Sequence, residues 1–173
     1  GGAAWVYSYG HRNAQGMAVH PETGLVWQHE HGPRGGDEIN IIRAGRNYGW
    51  PLVSYGREYS GGAVGSGKAL MAGVEPPLLQ WTPSLAPSGL AFYTGKEAPE
   101  WRGSLLVGML AGAELRRVIL DGARIVRQES HLKGWSRIRD VRMAPDGRVY
   151  LLTDSPNGGL YRIRFSGTAT PSK

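Results

Sequence analysis

Ten consecutive residues, His29-Glu30-His31-Gly32-Pro33-Arg34-Gly35-Gly36-Asp37-Glu38, combine four kinds of chemistry. Residues i and i+2 on a strand share a face, so His29 and His31 could ligate a transition metal with Asp37 or Glu38 as a third donor. The chain has no cysteine, glycines intervene, and the spacing matches no zinc signature. The glycines and Arg34 could instead cradle a phosphate. A phosphate loop should open a helix, however, and the following Ile39-Asn40-Ile41-Ile42 reads as a strand. Calcium is a hard cation that takes backbone carbonyls and carboxylates, so it is the third reading. Asp37 and Glu38 are adjacent and would point to opposite faces of a strand, leaving them for different tasks.

Three other groups stand out. Arg12-Asn13 offers a guanidinium fork beside an amide, either to bind an anion or simply to form a capped turn. Arg137 and Arg139, at i and i+2, would present two cations on one strand face, with Asp140 placed to orient one of them. Such a pair suits a polycarboxylate, and a solvated strand face is the rival explanation. Trp81 could stack on a planar ligand, whereas Trp50 reads as packing.

The elements that must hold these residues are strands. Glycine (27) and proline (11) make up about a fifth of the 173 residues and punctuate short β-type runs. Residues 16–45, 89–122 and 140–165 share one plan: a short strand, a tight turn, a stronger apolar strand, a gap, and a third alternating strand. Pro21-Glu22-Thr23-Gly24 and Pro145-Asp146-Gly147 are hairpin turns. Multi-stranded repeats of this length predict an all-β fold, a β-propeller with blades at 5–48, 88–135 and 136–167, an insertion at 49–87 and a flexible tail at 168–173. Three blades do not close a ring, and an open arc leaves strand edges unpaired, so part of a larger propeller is expected. No apolar run is long enough to span a bilayer. Net charge is uneven. Residues 1–115 hold 8 basic against 9 acidic side chains, and residues 116–173 hold 12 against 5. The basic residues alternate along strands and do not cluster with aromatics, which argues against nucleic acid and leaves room for a small anionic ligand.

Four motifs in register, "GHRNAQG", "EHGPRGGDEIN", "GRNYGWP" and "RIRDVRMAPDG", together with "FYTGKEAPEWRGSLLVGML", resemble the soluble PQQ-dependent aldose sugar dehydrogenases of the glucose/sorbosone dehydrogenase family. The resemblance implies a six-bladed propeller of which this chain is the C-terminal half. It implies oxidation of an aldose's anomeric hydroxyl, with hydride transfer to pyrroloquinoline quinone (PQQ), calcium as second cofactor and an external electron acceptor. It also implies a periplasmic or secreted protein, and a homodimer when full length. By the same resemblance Arg12, Asn13, His31, Arg137 and Arg139 contact PQQ, His31 as a hydrogen-bonding group. The carbonyls of Gly32 and Pro33 hold the calcium that bridges to PQQ. Glu38 and the backbone of Tyr48 hold a second, structural calcium. Asp37 and Trp81 lie on the substrate side. The family's general-base histidine belongs to its N-terminal half and has no counterpart here. Ala111 stands where the family often carries a lysine, unless Arg116 or Arg117 substitutes. The competing expectation is a non-catalytic propeller that binds a partner through its loops.

Overall fold

The computed structural model describes residues 3–165. The expected tail at 168–173 lies outside them. The chain divides into two compact units, residues 1–87 and 88–173.

In the first unit, strands β1 (Ala14–Val19), β2 (Val26–Glu30), β3 (Asp37–Ile42) and β4 (Leu79–Trp81) form one antiparallel sheet in sequence order. The β1–β2 turn is fastened by the buried His20, whose Nδ1 accepts from the backbone N–H groups of Glu22 (3.2 Å) and Thr23 (3.3 Å). Strand β2 is buried on both faces, with Trp27 and His29 fully enclosed, and β3 adds the fully enclosed Ile39. Each such apolar side chain contributes about 1.5–3 kcal/mol. The three-strand plan read from the sequence gains a fourth strand here. Leu79–Trp81 lies inside the stretch expected to be an insertion and pairs with Asp37–Ile39 of β3. Only three residues long and bounded by Pro77 and Pro83, it shows no alternating run; its partner strand defines it.

In the second unit, β5 (Pro87–Phe92, whose first residue is the last of the first unit), β6 (Leu105–Met109), β7 (Glu114–Asp121) and β8 (Arg124–His131) form a second four-stranded sheet. Strands β9 (Ile138–Met143), β10 (Val149–Thr153) and β11 (Leu160–Arg162) form a third, of three strands. Every residue of β6 is buried. The core gathers Tyr93, Trp101, Leu106, Leu115, Ile138, Val141, Val149 and Leu151. Trp101 enters it from a short 3-10 turn, Pro99–Trp101, where proline presets the first backbone angle. In "LYRIRF" strand pairing stops at Arg162, yet Ile163 still packs on the core and donates its N–H to Val149 O (2.9 Å). Among the described residues there is no α-helix, and no helix long and apolar enough to cross a membrane.

Candidate functional site

The loop between β2 and β3 is built around a buried carboxylate. Asp37 is 0 % exposed and accepts from the N–H groups of Gly32 (3.0 Å), Leu85 (2.8 Å) and Ala86 (2.9 Å) and from the Ser84 hydroxyl (2.7 Å). Through these bonds Asp37 positions the 32–36 loop against the 84–86 turn. Backbone crowding completes the loop. A Cβ on Gly32 would meet Gly35 O at 2.0 Å and Gly36 O at 2.6 Å, so only glycine fits. Replacing Asp37 by Ala would remove the acceptor from the buried Gly32 N–H and from the half-buried N–H groups of Leu85 and Ala86, at about 1–3 kcal/mol each. Urea denaturation should therefore show a loss of roughly 4 kcal/mol or more, and a loss below about 1 kcal/mol would mean the clamp holds nothing.

A second carboxylate, Glu30, ends β2 at 4 % exposure. It accepts from the backbone N–H groups of Arg12 and Asn13 (3.2 Å to the latter) and lies 3.3 Å from His11 Nδ1. The His11 ring in turn stacks on Tyr48 at 4.7 Å. These contacts set Arg12 over the loop, where Nη1 donates to the carbonyls of His31 (3.1 Å) and Gly32 (3.2 Å). His31 Nε2 lies 2.7 Å from Pro87 O, which makes that nitrogen the donor and leaves Nδ1 for another partner. The result is a small cleft whose wall includes Arg12, Glu30, His31, Gly32, Glu38 and Tyr48. Burial, aided by the nearby Glu30 charge, pushes the Glu38 carboxyl up to about 7, although Asn40 donates to it at 3.2 Å. Burial likewise raises the Tyr48 phenol, which donates to Ile41 O (2.7 Å) and accepts from Arg43 N–H (2.9 Å).

Five residues singled out from the sequence thus share one cleft: Arg12, His31, Gly32, Glu38 and Tyr48. Others lie elsewhere. Asn13 is exposed, and its side-chain oxygen accepts from Gln15 (2.8 Å). Pro33 is buried beside the cleft. Trp81 is 7 % exposed and is one of the buried hydrophobic residues of the first unit. The zinc arrangement does not form: His29 is sealed in the core, and among the described residues no three His, Asp or Glu side chains converge on a metal position. Glu30 was not anticipated; its signal was a charge at the end of a run with no exposed residue.

In the second unit, Arg137 and Arg139 converge on a single oxygen. Asp154 Oδ2 accepts from Arg137 Nη2 (2.7 Å) and Nε (3.2 Å) and from Arg139 Nη2 (3.0 Å). The arginines, Arg137 foremost, hold the Asp154 carboxyl below its usual range. Asp140, expected to orient one of them, instead pairs with Arg142 (2.8 Å) and caps its own strand at Val141 N–H (2.9 Å). Neither Arg116 nor Arg117 is free to replace a lysine at position 111. Arg117 is buried, donates to Ser104 (2.9 Å), Glu129 (3.0 Å) and Glu100 O, and lies over the Trp101 ring. Arg116 pairs with Glu114, which also accepts from Ser130.

The Glucose / Sorbosone dehydrogenase family profile matches residues 1–162. The chain belongs to this family. It is 43 % identical over 165 residues to the aldose sugar dehydrogenase YliI of Escherichia coli (strain K12), covering 94 % of this chain and 44 % of that protein. A crystal structure of a glucose dehydrogenase superposes with a TM-score of 0.90 at 49 % identity, over 93 % of this chain and 47 % of that one. The PQQ-bound form of an aldose sugar dehydrogenase from Streptomyces coelicolor gives a TM-score of 0.67 at 32 % identity, over 91 % and 43 %. The chain therefore spans a little under half the length of these relatives. Its three sheets are about three blades of a six-bladed β-propeller.

Proposed function

We propose that this chain supplies the PQQ- and calcium-binding portion of an oxidoreductase that oxidises the anomeric hydroxyl of aldose sugars. One observation carries the reading: Arg12, His31, Gly32, Glu38 and Tyr48, separated by up to 36 positions in sequence, line a single cleft in which two backbone carbonyls already face a cation. That cation is Arg12 itself, whose Nη1 rests on the carbonyls of His31 and Gly32. Calcium fits the same chemistry, because backbone carbonyls and the desolvated Glu38 are hard oxygen donors. In this reading Gly32 and Pro33 offer carbonyls to one calcium, and Glu38 and the Tyr48 backbone hold another. Calcium loading suits a periplasmic or secreted location.

PQQ, when bound, supplies an electrophilic quinone that accepts a hydride. The chain's own residues bind and orient it. Arg12 Nη2, which donates to no described residue, is left for a quinone or carboxylate oxygen. His31 donates from Nε2 to Pro87 O, which leaves Nδ1 for a polar contact, and Asn13 adds an amide. Arg137 and Arg139 share one acid, so together they keep a net positive charge for a carboxylate. Asp37 holds the loop in place. Proton removal from the sugar falls to a histidine outside this chain, and electrons pass to an external acceptor.

The competing reading, a non-catalytic propeller, draws on Ala111 and on the commitment of Arg116 and Arg117 to other partners. Reconstitution separates the two. The polypeptide carrying these residues, given PQQ and calcium, should bind quinone by absorbance and reduce a dye with aldoses. Absence of both signals would leave the binding-module reading.

A further inference from the structure

The loop that follows β3 carries two aromatic rings to one cation. The Arg12 guanidinium carbon lies 5.2 Å from the Trp50 ring centre and 6.0 Å from that of Tyr59. Arg12 Nε is buried with no hydrogen-bond partner among the described residues, so the group is held by Nη1 and by these faces. Packing does not explain Tyr59, which remains 69 % exposed. Its backbone, however, is fixed. It sits near the tip of a tight hairpin in which Arg57 bridges Ala63, Glu58 N–H donates to Gly62 O (3.0 Å), and Gly61 N–H donates to Glu58 O (2.8 Å). Arg34, from the glycine-rich loop, ties the hairpin down by donating Nη1 to Tyr59 O (3.3 Å). Trp50 is anchored by its N–H to Gly10 O (2.8 Å). An ordered hairpin therefore presents an exposed ring to a guanidinium whose Nη2 donates to no described residue.

We propose that Tyr59 is a positioning residue for Arg12, its ring facing the guanidinium with Trp50 so that Nη2 is presented to the bound cofactor. The proposal rests on the PQQ reading above. Cation–π attraction acts on the ring face and needs no hydroxyl, so phenylalanine serves as well as tyrosine while leucine, of similar bulk, does not.

The experiment is an equilibrium titration of PQQ, followed by absorbance at saturating calcium, of the polypeptide carrying these residues and its Tyr59→Phe, Tyr59→Leu and Arg12→Met variants. A Tyr59→Leu, Arg12→Met double variant completes a cycle. Tyr59→Phe should bind within about twofold of the parent, and Tyr59→Leu about three- to thirtyfold more weakly, with the thermal midpoint and the calcium affinity without PQQ unchanged. In the Arg12→Met background Tyr59→Leu should have no effect. The proposal is overturned if leucine binds as the parent does. It is also overturned if leucine weakens binding equally without Arg12, since the ring would then touch the cofactor directly. A parent that binds no PQQ would overturn the functional reading, and this inference with it; a parent that binds while Tyr59→Leu matches it would overturn this inference alone.

Discussion

Replacing either Arg137 or Arg139 by methionine is expected to weaken PQQ binding by about ten- to a hundredfold, and replacing both should cost little more. The reason is the shared acid. Two guanidinium groups converge on one oxygen of Asp154, so the trio carries one net positive charge. Removing one arginine lets Asp154 neutralise the other, and the attraction for a ligand carboxylate falls nearly to zero in one step. Residues that act as a unit give this non-additive pattern. Asp154→Asn has the opposite sign: two unpaired cations should tighten binding by up to about tenfold. Both arginine side chains are about half exposed, at 51 % and 47 %, so the effects should shrink as salt rises. Titrations of the three single variants and the double variant at low and high ionic strength check this. Additive losses, or an Asp154→Asn variant weaker than the parent, would show that the arginines do not act through a common charge.

The strand plan was legible because two signals agree along most of the chain. Apolar residues alternate or cluster over five or six positions, and turns such as Pro145-Asp146-Gly147 end them; Gly147 N–H donates to Ala144 O at 2.9 Å. Strand β4 was not legible, since three residues between prolines carry no period. The members of the cleft could be named only because their motifs match a family; spacing alone left Arg12-Asn13 open between an anion site and a capped turn, and Arg137/Arg139 between a polycarboxylate contact and a solvated strand face. What no local pattern revealed is partnership. Glu30 reaches the N–H of Arg12 from 18 positions away, Asp154 reaches Arg137 from 17, and Asp37 holds residues 47 to 49 positions distant. These are contacts between neighbouring strands and loops, fixed by sheet register. Nor did spacing reveal that Asp37 clamps its loop, since its donors come from Gly32 and from the distant 84–86 turn.

Glu38 gives the largest expected dependence on pH and metal. Its carboxyl, ordinarily near 4.5, sits at about 7 in the fold because burial disfavours its charge. Between those values the folded chain holds a proton that the unfolded chain has released. Stability of the calcium-free protein should therefore fall as pH rises from about 4.5 to about 7, by up to roughly 3 kcal/mol from this one group. Calcium reverses the consequence. In the proposed reading the ionised carboxylate holds it, so its affinity should climb over the same interval, and the gap between loaded and chelated protein should be widest near pH 8. Glu38→Gln keeps an acceptor for Asn40 and removes the charge. Without calcium it should be more stable than the parent at pH 8 and nearly equal at pH 5, while gaining little from added calcium at either pH. Denaturant titrations of both proteins at pH 5 and 8, in chelator and in calcium, measure each term. A chelated parent whose stability does not fall over this interval, or a glutamine variant that falls just as much, would place the pH-sensitive charge somewhere other than Glu38.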